Sequence, residues 1–104
     1  MTVNELIDKL DAKAYVLADG ERKVVGGYAG DFLSFVMAKA PADSGWFTIM
    51  TNVNVAAVAK LSDVSAVIIC EGSVPDIPLI EKAEAGGINI ISTGLDIFSA
   101  IKLF

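Results

Sequence analysis

"GWFTIMTNVNVAAVAKLSDVSAVIICEG", Gly45 to Gly72, decides the fold. "WFTIM" (46–50) and "AVIIC" (66–70) are short runs rich in aromatic and β-branched residues, the composition of strands. "VNVAAVAKL" (53–61) lies between them, alanine-rich and long enough for a helix. It is apolar nearly all round, which predicts a buried helix or a self-association face. "AVIIC" offers no polar face, so it belongs inside a sheet covered on both sides. Strand, helix and strand in immediate succession form a crossover unit, and crossovers join parallel strands.

The same alternation continues in both directions. Downstream, "IPLIEKAEA" (77–85) reads as a helix, with Gly86-Gly87 supplying its left-handed ending. "INII" (88–91) is the next strand and "GLDIFSAIKLF" (94–104) the last helix. Upstream, Asp31 is the expected N-cap of "FLSFVMAKA" (32–40), and Pro41 stops that helix. Phe32, Leu33, Val36, Met37 and Ala40 share one helical face, and Phe35 falls off it. "KVVGGYA" (23–29) is extended but broken by glycine. "AYVLA" (14–18) is a strand, and Asp19-Gly20 turns the chain. At the start, "TVNE" forms a capping box between Thr2 and Glu5, followed by the stripe Leu6, Ile7, Leu10. No linker, repeat or low-complexity tract interrupts this pattern. The expectation is a single α/β domain, residues 1–104, with a mostly parallel sheet and helices on both faces.

Composition narrows the function. Apolar residues make up 54% of only 104 residues, with mean hydropathy +0.60. A domain this small has little interior, so a surplus of that size predicts a partner surface. Twofold self-association is the commonest solution, and a homodimer is expected. Phe35 is the residue to suspect at its interface, with Trp46 near it in sequence as a core or interface anchor. No apolar run reaches the roughly 18 residues of a membrane span, and the polar-amphipathic amino terminus does not read as a signal peptide. One cysteine, Cys70, allows no intrachain disulfide and suits a reducing compartment, so a cytoplasmic location is expected. The net charge of −5 is spread without blocks, which argues against nucleic acid and against a membrane-binding basic face.

Three glycines, Gly26, Gly27 and Gly30, crowd the stretch "ERKVVGGYAGDFLS" (21–34). They lack the Lys of a phosphate-binding P-loop and the spacing of a dinucleotide fingerprint. The amides near Gly30 and Asp31 face the start of a helix, but the Asp31 carboxylate repels an anion there. A bulge or a close backbone approach is the simpler role.

The stretch "ERKVVGGYAGDFLSFVM" followed by "GWFTIMTNVNVAAVAKLSDVSAVIICEG" resembles the DRTGG domain. Arg22, Gly26 and Gly27 match the motif for which that family is named. Glu21 stands where the family usually has Asp, and Val25 stands near its Thr. The likeness runs from the first helix to the last. It implies a fold similar to the N-terminal domains of HPr kinase/phosphorylase and of Mur ligases. Such domains also occur inside CBS-domain pyrophosphatases, and some stand-alone members accompany hydrogenase systems. The catalytic machinery of these proteins lies in other domains. The resemblance therefore implies a non-enzymatic regulatory or ligand-binding module, associated with a hydrogenase or a phosphotransfer system.

In an open parallel sheet, ligands usually bind where the loops at the carboxyl ends of the strands converge. Those ends carry Thr51, Asn52 and Asn54; Glu71 and Ser73; and Ser92 and Thr93. Asn52 or Asn54, Ser73 or Asp76, and Ser92 or Thr93 are also expected helix caps. Together they form a polar rim suited to a small polar or nucleotide-like ligand, with Arg22, Gly26, Gly27, Tyr28 and Asp31 of the glycine-rich stretch as further candidates. The rim has no cation of its own, so a phosphate there needs Arg22 or Lys23 to reach in.

The catalytic inventory is thin. Without histidine there is no Ser-His-Asp or Cys-His arrangement. Cys70 ends an apolar strand beside Glu71, a setting that raises a thiol pKa. No Cys/His cluster supports zinc, and no metal or cofactor is expected. Two alternatives to the ligand-binding module are a protein scaffold or dimerisation module, and a small phosphoryl-handling enzyme component resting on carboxylates and Arg22.

Overall fold

The computed structural model describes residues 1–104. Along the chain the elements are α1 (Val3–Leu10), β1 (Lys13–Val16), β2 (Gly27–Ala29), α2 (Leu33–Lys39), β3 (Gly45–Thr48), α3 (Asn54–Ser62), β4 (Ala66–Ile69), α4 (Ile77–Gly86), β5 (Ile90–Ser92) and α5 (Ile97–Leu103). β4 lies at the middle of the sheet because every one of its side chains is apolar and buried. The strand order is β1-β5-β4-β3-β2, with β2 to β5 parallel and only β1 antiparallel.

Three successive crossovers step across the sheet in one direction. The fixed hand of such connections puts α2, α3 and α4 on the same face. There Trp46, Val67, Ile69 and Ile90 meet Val36, Val55, Val58 and Leu79. The alternate residues Phe47, Ile68, Cys70 and Ile91 point the other way, where α1 and α5 cover them through Val3, Leu6, Leu10 and Ala100. Strand periodicity thus divides one apolar sequence into two cores.

Several local expectations hold. Thr2 and Glu5 close a reciprocal capping box on α1, with the hydrogen bond from the Thr2 N–H holding the Glu5 carboxylate below its usual pKa. The helix before Pro41 ends at Lys39, with Ala40 extended. Gly87 is left-handed at the end of α4. Trp46 is wholly buried, its indole N–H donating to the Gly30 carbonyl at 2.9 Å.

Others are corrected. Asp31 does not cap α2; Phe32 occupies that position without a side-chain bond. Phe32 and Met37 do not face the core, since both are about half exposed or more. The reason is placement. α2 packs beside α3 near the β2 edge of the sheet, and Val36 alone of the expected stripe is fully buried. The last helix begins at Ile97, not Gly94, and Asp96 caps it in place of Ser92 or Thr93. Hydrogen bonds from Ser99 hold the Asp96 carboxyl below its usual pKa.

The turn at Asp19-Gly20 does not close a hairpin, because β1 and β2 are opposite edges of the sheet. Residues 17–26 instead form a strap beneath the amino ends of the parallel strands. Asn89, just before β5, accepts from the Asp19 N–H and donates to the Asp19 carbonyl, each at 2.9 Å. The Ser65 hydroxyl, before β4, donates to the Lys23 carbonyl. The Val25 N–H donates to Asp43, before β3, at 2.7 Å. The strap therefore crosses β5, β4 and β3 in that order and delivers the chain to β2.

The glycine pair ends the strap, and its two members act differently. Gly26 is left-handed at φ +71 with open space around it, whereas a Cβ on Gly27 would stand 3.3 Å from the Gly45 carbonyl and 3.4 Å from the Phe47 ring. Gly26→Ala is expected to cost about 1–2 kcal/mol through left-handed strain. Gly27→Val is expected to cost about 1–3 kcal/mol through crowding. Urea unfolding checks both, and a Gly27→Val protein of unchanged midpoint would show that the β2–β3 contact yields freely.

Candidate functional site

The structure sorts the candidate residues onto two ends of the sheet. Arg22, Gly26 and Gly27 lie at the amino ends of the parallel strands, in the strap and the first residue of β2. Asp31, Thr51, Asn52, Asn54, Glu71, Ser73, Ser92 and Thr93 lie at or beyond the carboxyl ends. A four-residue strand spans about 13 Å, so Arg22 does not reach the rim as the sequence reading required. Tyr28 lies between the two ends, half-buried against the Trp46 core.

Arg22 is anchored where it stands, through one nitrogen, Nη2. Its guanidinium donates to Asp43 at 3.0 Å, to the Asp63 carboxylate at 2.9 Å and to the Asp63 carbonyl at 2.8 Å. Asp43 and Asp63 precede β3 and β4, and both have left-handed backbones, φ 64 and φ 55. One cation thus joins two tight turns and the strap through a single nitrogen. The motif residues shared with the DRTGG domain serve the fold at this end of the sheet.

The rim proves largely self-satisfied. The Asp31 carboxylate accepts from the Thr48 hydroxyl at 2.7 Å and from the Ile49 N–H at 2.9 Å, tying β2 to β3. Ser92 is buried and donates to the Ser73 carbonyl at 2.7 Å. Thr93 is buried and donates to the Leu10 carbonyl at 2.9 Å. The Thr51 carbonyl accepts from the Asp76 N–H, and Asn52 accepts from the Asn54 N–H, both at 2.9 Å. Glu71 is exposed and left-handed at φ 64, in a turn closed by the Ser73 N–H on the Cys70 carbonyl. Of the hydroxyls expected to face a ligand, those of Ser92 and Thr93 are turned inward. A cavity of about 270 Å³ opens beside Thr93, lined also by Lys9, Asp11, Gly94, Leu95 and Leu103.

What the rim exposes is apolar. Of thirteen exposed large hydrophobic side chains, seven follow the carboxyl ends of the strands: Phe32, Phe35, Ile49, Val53, Val74, Ile77 and Phe98. Phe32 and Phe35 stack edge to face with ring centroids 4.9 Å apart. Sequence reading picked out Phe35 but not this set, because its members follow four different strands, and Phe35, Ile77 and Phe98 belong to helices. Reading missed Asn89 as well, whose signal was a lone amide inside an apolar strand.

Cys70 is buried and free. Burial, helped by the negative charge of Glu71, pushes its thiol up to about 11. No three His, Cys, Asp or Glu side chains gather to hold a metal ion.

A scan of protein-family models finds no match to the chain, and a search of curated proteins finds none. Among solved structures it superposes on the CBS and DRTGG domains of the regulatory region of a Clostridium perfringens pyrophosphatase, in complex with the activator diadenosine tetraphosphate. The TM-score is 0.79 at 19% identity over 98% of this chain. The chain spans 45% of that structure's length. Its fold is thus DRTGG-like, and the protein it resembles in shape is a regulatory region rather than a catalytic one.

Removing the Arg22 cation leaves two strained turns without their shared donor. Arg22→Ala is expected to lower stability by about 1–2 kcal/mol, the partly exposed partners limiting the loss. Arg22→Lys, which also carries a cation with three donors on one nitrogen, should recover part of it in the same denaturation experiment. The Cys70 thiol sets a pH dependence. Its folded pKa lies above the ordinary value of 9.0, so its contribution to stability is complete below pH 9 and disappears as pH rises towards about 11. Native protein at pH 8 should resist thiol reagents, while Cys70→Ala removes the alkaline decline from a melting-temperature profile.

Proposed function

We propose that this chain is a non-catalytic regulatory module that binds a small polar or nucleotide-like ligand and transmits its presence to a partner. The observation that carries this reading is the superposition of 98% of the chain on a regulatory region crystallised with a dinucleotide activator. The chain's own chemistry is in keeping with it. There is no histidine to act as a general base, the single thiol is held protonated, and Arg22 is committed to two aspartates. On the family resemblance of the sequence, we take the recipient to be a hydrogenase or phosphotransfer system and the setting to be the cytoplasm, which a lone free cysteine suits. A thermal-shift series with nucleotides and phosphorylated metabolites tests the reading. At least one is expected to raise the melting temperature in a saturable way, and turnover of a phosphate ester by pure protein would contradict it.

The apolar ring favours a second role, self-association. An aromatic side chain carries about 150–250 Å² of surface, so seven half-exposed apolar side chains offer on the order of 700 Å². A standard interface takes about 800 Å² from each partner. A second copy of the chain presents the same ring and satisfies that requirement symmetrically. Phe35 belongs to this surface, whereas Trp46 is committed to the core. Sedimentation at micromolar concentration is expected to give the dimer mass, and Phe35→Glu the monomer mass. A wild-type monomer would overturn self-association, and an intact Phe35→Glu dimer would move its interface elsewhere.

A further inference from the structure

The largest cavity in the molecule is at neither end of the sheet. It is a groove of about 340 Å³ on the outer side of α3 and α4, at the lower end of the roughly 300–1,000 Å³ typical of small-molecule sites. Its existence follows from residue size. Ala56 and Ala57 on α3 and Gly86 on α4 are too small to fill the space between two helices. Val53 and Ile88 complete an apolar lining.

Two ammonium groups border that lining, and no carboxylate does. In a chain of net charge −5 this is a local reversal of sign. Lys60 reaches across from α3, and its Nζ donates to the Gly86 carbonyl at 2.8 Å. That bond fixes the ammonium in the groove and leaves its other N–H groups free. Lys82 approaches from α4 and makes no ion pair, the only ion pairs of the molecule being those of Arg22. A smaller cavity of about 90 Å³ shares Lys60, Gly86 and Ile88 with the groove and continues it to Arg22 and Asp63.

We propose that the α3–α4 groove binds a small phosphomonoester with a planar or apolar body, of the nucleoside monophosphate class. Lys60 and Lys82 hold the phosphate, and the body lies on Ala56, Ala57 and Val53. Two lysines with free donors match a dianionic phosphate, and an apolar lining of small side chains lets a flat group approach the helix closely. The Asn54 amide, at the start of α3, is placed to bond a polar edge of that group. The proposal rests on the reading of the chain as a ligand-binding module and moves the ligand onto the helical face, with Val53 and Asn54 the residues shared with the carboxyl-end rim.

Amide chemical shifts of the full chain, titrated separately with AMP, adenosine and inorganic phosphate, test it. AMP is expected to shift residues 53–60 and 82–88 in a saturable way, with adenosine and phosphate each binding more weakly. Lys82→Ala, a surface change, should weaken AMP about tenfold, the loss of one charge-assisted contact. Ala57→Phe should fill the groove and abolish binding at an unchanged melting temperature. Shifts confined to residues 51–52, 71–73 and 92–94 would overturn the groove while leaving a ligand-binding module intact. Failure of AMP to saturate at millimolar concentration would also overturn the groove, as would AMP binding indifferent to both substitutions. The broader reading is decided independently by the metabolite series.

Discussion

The side chain of Asn89 is the fixed point of this structure. It is buried, and it makes three hydrogen bonds at 2.9 Å: one accepted from the Asp19 N–H, two donated to the Asp19 and Ser65 carbonyls. Buried amides are costly unless all their capacity is used, and here nearly all of it is. The three bonds join the strap to the starts of β5 and β4. They begin the passage of the chain beneath the sheet from β1 to β2, which the Ser65 and Asp43 contacts carry on. The order β1-β5-β4-β3-β2 depends on that passage. Arg22 continues the same task further along the strap, where the next loops are turned by Asp43 and Asp63.

This division of labour explains why the motif residues and the rim residues do not meet. The amino end of the sheet carries the polar clamps that set topology. The carboxyl end carries the helix starts, and its hydroxyls close loops against one another: Ser92 on Ser73, Thr93 on Leu10, Thr48 on Asp31. With polar groups spent on the interior, the outer surface of those loops is left to Phe32, Phe35, Ile49, Ile77 and Phe98. Seven of the thirteen exposed large hydrophobic side chains thus follow the carboxyl ends of the strands.

A structure of the same shape at 19% identity is what such a fold permits. The two cores need only apolar residues of suitable volume at alternating strand positions, and those positions accept many sequences. Residues such as Gly26 and Gly27 are narrower requirements, one for its left-handed backbone and the other for contact with Phe47.

The sequence by itself determined the class of fold. Period and composition marked β3, α3, β4 and α4 closely, since a fully apolar four-residue strand has one environment open to it. The capping box of Thr2 and Glu5 and the left-handed Gly87 were equally legible, being decided within a few residues of chain. Tertiary structure decided everything that joins distant residues. Asp31 reads as a helix cap until Thr48 and Ile49 arrive to claim its carboxylate. Asp19-Gly20 reads as a hairpin turn until Asn89, seventy positions away, redirects it. The stripe on α2 promised a buried face, but an edge position gave it only one fully buried side chain. Local pattern fixes what an element is, because hydrogen bonding within helices and turns is short-range. Which end of the sheet an Arg22 or a Thr93 serves is settled by packing, since only the folded chain brings their partners within bonding distance.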